Sequence, residues 1–369
     1  MIDERILKNE ERAVYTLRAL YNRFGYHLYK MSKFEEYDYY AKNKDFLISD
    51  GIITFTDRSG KLLALKPDVT LSIVKNSKDH AETVEKFYYN ESVYRAGKGS
   101  SLYKEIMQTG LECIGNVGLY ESAEVLMLAV KSLSLMHNEC VLDIAHAGLL
   151  CAFLDQVSDS DKVKAQLLEA VARKNADALE LLAANGEIDA AGASLMLALL
   201  ADYTDAEAMK NALSPYLLTD ASQKAFGEFY EILKTLEALS LGSYLNISFS
   251  LIENTSYYSG VVFQGYIKGI ADRVLSGGRY DGLMQKLGKR AGAIGFAVYL
   301  DNFERFGETE KDYDVDVLLI REDGAAALDV IRTVESISAK GESVLVESNV
   351  PGTLRYKRLV RIGKEGEIK

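Results

Sequence analysis

A long stretch in the middle of this chain, residues 148–239, reads differently from everything on either side of it. It is rich in Ala, Leu, Glu and Lys and poor in β-branched pairs, which is the pattern of several consecutive helices. Strand signals lie both before and after it. Residues 86–95 and 104–115 are two long β-type runs joined by the small polar loop 96–103, and residues 140–145 form a further strand. Strands resume at 244–252 and 261–267, followed by a glycine turn at Ser276-Gly277-Gly278-Arg279, a helix through Leu283 and a sheet-like stretch at 293–299. A helical block interrupting a set of strands reads as an insertion, and the whole as an α+β fold.

The remaining segments fit that frame. Ala13, Leu17, Leu20, Tyr21 and Phe24 recur at helical spacing, and Gly25 supplies the stop. Residues 26–31 read as a strand, and 51–57 with 61–65 flank a turn at Arg58-Ser59-Gly60. Asp68 is a helix cap for a segment running toward Lys75, and 121–136 is a helix. After Tyr313 the order is strand (315–320), helix (325–339), strand (343–347) and a basic strand (355–362), a small α/β tail. Its basic end, Arg355, Lys357, Arg358, Arg361 and Lys364, would suit RNA, although a solvated strand edge is the commoner meaning of such charges.

Composition narrows the function classes. The formal net charge is −11, from 43 basic and 54 acidic residues, which argues against a surface built to grip phosphate backbones. The segment MIDERILKNEER is charged where a secretory signal needs an apolar stretch, and the longest apolar run, 195–201, is far too short for a bilayer. A cytoplasmic protein is expected. Cys113, Cys140 and Cys151 lack paired spacing, and His27, His80, His137 and His146 are scattered. Neither a metal site nor a disulfide framework is expected, and nothing calls for a cofactor.

Taken singly, Gly277-Gly278-Arg279-Tyr280-Asp281-Gly282, the pair Tyr257-Tyr258 and Lys66-Pro67-Asp68 are each compatible with ordinary turns, core aromatics and caps. In order they are more specific. The segments LALKPDVTLSIVKN, FYYNESVYRAGKGSSLYKEIMQTGLECIG, TSYYSGVVFQGY, SGGRYDGLMQKLG and AGAIGFAVYLDNF resemble the catalytic domain of histidyl-tRNA synthetase and its paralogues, over residues 6–306. The resemblance implies a class II aminoacyl-tRNA synthetase-like antiparallel six-stranded sheet flanked by helices, and a dimer formed through it. Residues 1–147 and 240–310 would be the synthetase-like domain, 148–239 the helical insertion, and 311–369 a truncated anticodon-binding-like tail.

The same resemblance assigns a histidine-like ligand pocket to Asp68, Thr70, Gln108, Glu112, Tyr257 and Tyr258. Those types suit it, because a buried ammonium requires carboxylates and amide oxygens around it. The alternative reading of Gln108 and Glu112 is a strand face turned to a hydrogen-bonded cavity. The adenylation parts are depleted. Arg95 matches the motif 2 arginine, but its acidic neighbour is replaced by Ala96. The histidine-specific catalytic arginine falls on Glu253 and the motif 3 arginine on Asn302, with Arg305 three residues beyond. Ser32 stands for the motif 1 proline, and the motif 2 loop carries only Lys98 as a base. Fixed cations stabilise the charge that grows on phosphate in adenylation, at a few kcal/mol each.

A synthetase-like body lacking those cations most resembles the silent branch of the family that serves as the regulatory subunit of ATP phosphoribosyltransferase. That resemblance implies no catalytic residue, a short-form catalytic subunit as partner, and a role in activity and histidine feedback at the first step of histidine biosynthesis. It makes tRNA and membrane unexpected partners. Two alternatives stay open: a divergent active histidyl-tRNA synthetase, and a free-standing paralogue that binds an amino acid or RNA.

Overall fold

The computed structural model describes residues 7–43, 51–79, 83–96, 103–252, 257–303 and 312–364. The chain divides into two compact units, with the boundary between Phe306 and Gly307.

The first unit opens with α1 (Asn9–Arg23), whose buried face is Ala13, Leu17 and Tyr21. Gly25 ends it at φ +79°. After the two-residue β1 (His27–Leu28) come β2 (Phe34–Glu36), α2 (Tyr37–Lys42), β3 (Thr54–Thr56) and β4 (Leu62–Leu65). β2, β4 and β3 form a small antiparallel sheet. The Asp57 carboxylate accepts from Ser59 N (2.8 Å) and Lys61 N (2.9 Å) in its turn. Asp68 then caps α3 (Val69–Asn76), accepting from Leu71 N at 2.9 Å.

β5 (Val84–Ala96) and β6 (Tyr103–Gly115) pair antiparallel along their full length, Val84 opposite Gly115 and Ala96 opposite Tyr103. α4 (Leu119–Met136) and β7 (Cys140–His146) follow. The helical block holds α5 (Ala147–Val157), α6 (Asp161–Ala172), α7 (Ala176–Ala184), α8 (Ala190–Ala198), the short β8 (Asp202–Tyr203), α9 (Ala206–Leu213) and α10 (Asp220–Ala238). β9 (Leu245–Ser248), β10 (Val261–Ile267), β11 (Leu275–Arg279), α11 (Asp281–Lys286) and β12 (Gly292–Tyr299) complete the unit.

The main sheet has the order β1-β5-β6-β12-β11-β10-β7-β9-β8. Its six central strands, β5 to β7 in that order, are antiparallel throughout. The parallel joins add the short strands β1, beside β5, and β9, beside β7, and β8 pairs antiparallel outside β9. One face packs on α1, α4, α5 and α10 through residues such as Tyr21, Leu128, Phe263, Phe296 and Phe229. The helical block shares that apolar core, with Leu167, Leu195, Met209 and Leu236 in the same cluster. The opposite face carries α3 and α11 around Leu71, Ile73, Tyr89 and Tyr280.

Three expected elements change. The strand expected at 26–31 shortens to β1, with His27 and Leu28 in register with Phe87 and Tyr88 of β5 and a last bond from Tyr29 N to the Tyr88 carbonyl at 2.8 Å. The strand expected at 244–252 stops at Ser248, where the chain tightens into a 3-10 turn at Phe249–Leu251. The expected glycine turn is not a turn. Gly277 and Gly278 lie in β11, paired with Phe296 and Gly295 of β12, and neither has a positive φ. Glycine serves there for close approach, since a Cβ on Gly278 would sit 2.6 Å from the Tyr258 ring.

The second unit contains β13 (Val315–Arg321), α12 (Ala327–Ser338), β14 (Val344–Glu347) and β15 (Tyr356–Ile362), in a parallel sheet of order β14-β13-β15. Val317, Leu319, Val330, Ile337, Val360 and Ile362 make its core. Its basic residues have acidic neighbours: Arg355 with Asp314 (3.0 Å), Arg358 with Glu342 (2.6 Å) and Arg361 with Glu322 (3.9 Å).

Candidate functional site

On the α3 side of the sheet lies a cavity of about 360 Å³. Its floor exists because the strands place small residues side by side: Gly278 faces Gly295, which faces Glu112, while Ser276 faces Ala297 and Ala297 faces Gly110. A Cβ on Gly295 would lie 1.8 Å from Glu112 Oε2 and 2.5 Å from the Leu111 carbonyl. The two-residue strand period puts Gln108 and Glu112 of β6 on this same face.

All six residues expected at a ligand pocket, Asp68, Thr70, Gln108, Glu112, Tyr257 and Tyr258, line this cavity, and Arg95 lines it as well. α3 supplies two of them at its N-terminus. Thr70 Oγ1 donates to Glu112 Oε1 at 2.8 Å, and the Tyr280 hydroxyl donates to Glu112 Oε2. The Tyr257 ring packs edge-on to Tyr258 (4.6 Å) and lies 6.0 Å from Tyr280. Arg95 turns inward to the backbone: its Nε donates to the Pro67 carbonyl at 2.8 Å, and Nη2 is 3.6 Å from Asp68 Oδ2.

The electrostatics follow from this burial. Glu112 is only 2% exposed. Loss of hydration pushes its carboxyl up to about 8, against the downward pull of the Tyr280 and Thr70 hydroxyls, and the Asp68 charge adds to the rise. Burial also raises Asp68, with Arg95 opposing it. Both hydroxyl partners of Glu112 are neutral. The site therefore offers a buried carboxylate that a ligand cation would stabilise.

Several lining residues carried no recognised signal. Tyr280 belongs to the SGGRYDG segment, but its spacing from Glu112 does not reveal their contact. Ser276 and Tyr299 share a hydroxyl–hydroxyl bond of 2.6 Å, and Gln264 and Arg273 lie on the same wall. Of the departures from the synthetase pattern, Glu253, Lys98 and Arg305 lie outside the described residues. Asn302 belongs to a 3-10 turn at Leu300–Phe303, and Ala96 closes β5 opposite Tyr103. The Ser32 hydroxyl accepts from Phe34 N at 3.1 Å.

The helical block is tied to the end of β11 by a charged cluster. Glu228 of α10 bonds Arg279 Nη1 at 3.0 Å, and Arg279 Nε bonds Asp281 Oδ2 at 2.8 Å. His146 caps α5 by accepting from Leu149 N (3.0 Å), with Nε2 lying 4.0 Å from Glu228. Arg279 directly precedes Tyr280. Glu228→Ala is expected to lower stability by about 1.5 kcal/mol, read from a chemical denaturation midpoint, because it strips a charge-assisted bond from a partly buried guanidinium.

Among the described residues no group of three or more His, Cys, Asp or Glu side chains could hold a metal, and no helix is long and apolar enough to cross a membrane. The six-stranded antiparallel sheet, the hairpin of β5 and β6, and a cavity on the face away from α4 together define a class II aminoacyl-tRNA synthetase-like domain. A solved ATP phosphoribosyltransferase regulatory subunit/histidyl-tRNA synthetase from Bacillus halodurans C has this fold, with a TM-score of 0.77 at 22% identity over 96% of this chain and 94% of that one. The chain belongs to the histidyl-tRNA synthetase family, whose model matches residues 2–303. A curated relative from Clostridium kluyveri, an ATP phosphoribosyltransferase regulatory subunit, is 28% identical over 80% of this chain and 78% of its own length. A chain of the ATP phosphoribosyl transferase complex from Thermotoga maritima also shares the fold, with a TM-score of 0.62 at 19% identity over 81% of this chain and 97% of that one.

Proposed function

We propose that this protein is the non-catalytic regulatory subunit of ATP phosphoribosyltransferase. It assembles with a short-form catalytic subunit and confers activity and histidine sensitivity on the first step of histidine biosynthesis. The observation that carries this reading is the imbalance of the cavity. Its amino-acid-binding groups persist around Glu112, whereas the adenylation cation Arg95 is held by Asp68 and the Pro67 carbonyl. Glu253 and Asn302 stand where the synthetase pattern has arginines, and losing one fixed donor costs a few kcal/mol of transition-state stabilisation. The curated regulatory subunits from Clostridium kluyveri and Bacillus cereus, aligned over 80% and 96% of the chain, support the same assignment.

Feedback requires that histidine bind one state of the assembly better than another, because equal affinity shifts no equilibrium. The cavity residues Asp68, Thr70, Gln108, Glu112, Tyr257 and Tyr258 are the proposed histidine site, and the protein pairs with itself through the synthetase-like domain. The test is to add the purified chain to a short-form catalytic subunit and follow phosphoribosyl transfer with and without histidine. Turnover should rise on addition and fall with histidine. The isolated chain should show no histidine-dependent exchange of pyrophosphate into ATP; exchange above background would mean an active synthetase instead.

A further inference from the structure

We propose that Arg279 is a positioning residue of the cavity. It ties α10 of the helical block to the two segments that carry Tyr257, Tyr258 and Tyr280, so that the seating of the block sets the grip of the cavity on its ligand. This rests on the reading that the cavity takes histidine, and it says what governs that site.

The arginine stands where three parts of the fold meet. Gly278 turns toward Tyr258, and Tyr280 turns toward Glu112. Alternation along the chain therefore sends the Arg279 side chain to the opposite face of the sheet, where α10 packs. Its guanidinium is held there from two sides. Nη1 donates to Glu228 Oε1 at 3.0 Å and Nε donates to Asp281 Oδ2 at 2.8 Å, with the side chain only 20% exposed. Charge-assisted bonds of this kind fix the planar guanidinium in orientation as well as in place. The same Glu228 oxygen lies 4.0 Å from Nε2 of His146, whose ring caps α5, so the start of α5 belongs to the junction too.

Two arms run from this fixed point to the cavity. The first is Tyr257-Tyr258-Ser259-Gly260. Ser259 N donates to the Arg279 carbonyl at 2.9 Å, and Ser259 Oγ accepts from Asp281 N at 3.0 Å. The Arg279 stem lies so close over the next residue that a Cβ on Gly260 would stand 2.9 Å from Arg279 Cδ. The Gly260 carbonyl accepts from Ala147 N, at the start of α5, at 2.8 Å. The second arm is Tyr280 itself. Its N donates to the Ala293 carbonyl at 2.8 Å, Ala293 N donates to Asp281 Oδ1 at 3.0 Å, and its hydroxyl donates to Glu112. The arms meet again at the cavity, where the Tyr257 and Tyr280 rings are 6.0 Å apart. A shift of Arg279 is thus passed to tyrosines on both arms, and a binding site keeps its affinity only while such groups stay within about 0.5 Å of their places.

Calorimetry with histidine on the full chain, alone and with the short-form catalytic subunit, tests this. Glu228→Gln keeps the shape of the side chain but removes the charge that holds Arg279, and should weaken histidine about fivefold. Arg279→Ala should cost more, on the order of tenfold. Arg279→Lys should fall between wild type and Arg279→Ala, keeping the charge without the fork. Because Glu228 acts through Arg279, adding Glu228→Gln to Arg279→Ala should change affinity by no more than about twofold. Ile232→Val, one turn further along α10 and fully buried, is the control for lost stability and should leave histidine within about twofold of wild type. Near-ultraviolet circular dichroism would confirm that the variants are folded. Unchanged affinity in Glu228→Gln and the Arg279 variants would make the cluster a brace for the fold alone and overturn the proposal. Losses that multiply in the double variant, or an equal loss in Ile232→Val, would overturn it as well. Each of these outcomes leaves the histidine site standing. If wild type binds histidine neither alone nor in complex, the reading of the cavity itself fails, and this one with it.

Discussion

Gly277→Ala should destabilise the protein by about 3 kcal/mol, near the upper end of what overpacking usually costs. The added Cβ would stand 2.3 Å from the Gly295 carbonyl oxygen, 2.5 Å from Phe296 Cβ and 2.8 Å from Phe263 Cζ. The first two belong to the backbone, or its immediate branch, of the neighbouring central strand. β11 is paired on both sides, to β10 and β12, so neither strand can move aside without breaking its own ladder. Gly282 is the control. It lies in α11, and a Cβ there meets nothing within 4 Å. Gly282→Ala should stabilise by about 0.5–1 kcal/mol through helix propensity. Urea midpoints at constant slope would measure both; indistinguishable midpoints would refute this account of the glycine pair.

The second large effect concerns pH. Between the ordinary glutamate value of 4.5 and about 8, native Glu112 holds a proton that the unfolded chain has released. The folded state binds more protons in that window, so stability falls as pH rises through it, by up to about 1.4 kcal/mol per pH unit, and the contribution is complete below the window. Glu112→Gln removes this titration. The difference in unfolding free energy between wild type and Glu112→Gln should therefore swing against wild type by several kcal/mol, order of magnitude, between about pH 5 and pH 8. Saturating histidine should flatten the wild-type slope, since a cation beside the carboxylate favours its charged form. Parallel pH profiles for the two proteins would refute the assignment.

Local signals made much of this fold legible. Helical spacing found α1, the Asp68 cap found α3, and the β-rich runs found β5, β6, β10 and β12. The misreadings share a physical origin. Glycine serves either a positive φ or a close approach of backbones, and a single sequence does not separate the two uses, so β11 was read as a turn. The pocket residues came from ordered family segments, because Asp68 at a helix cap, Gln108 on β6 and Tyr257 in a turn meet only through the tertiary fold, which no local pattern encodes. Tyr280 has no local signal of its role, since its hydroxyl finds Glu112 across a chain separation of 168 residues. Arg273 had no signal at all; an isolated arginine between strands most often faces water.

The register of β6 against β12 sets a schedule for the growing chain. Ile114 pairs with Ala293, so a ribosome adding about 5–20 residues per second delivers the partner of β6 roughly ten to forty seconds after β6 itself. Until then β5 and β6 can pair with each other, but the free edge of β6 has unsatisfied backbone groups and lacks the apolar partners it meets in the finished core. The helical block is made during that wait and belongs to the same core. Its helices are local structures that form in microseconds. They can cover the β7 side early while the seam between β6 and β12 stays open to the last. Nascent chains stalled within the block should then be the species most prone to aggregate and most dependent on chaperones.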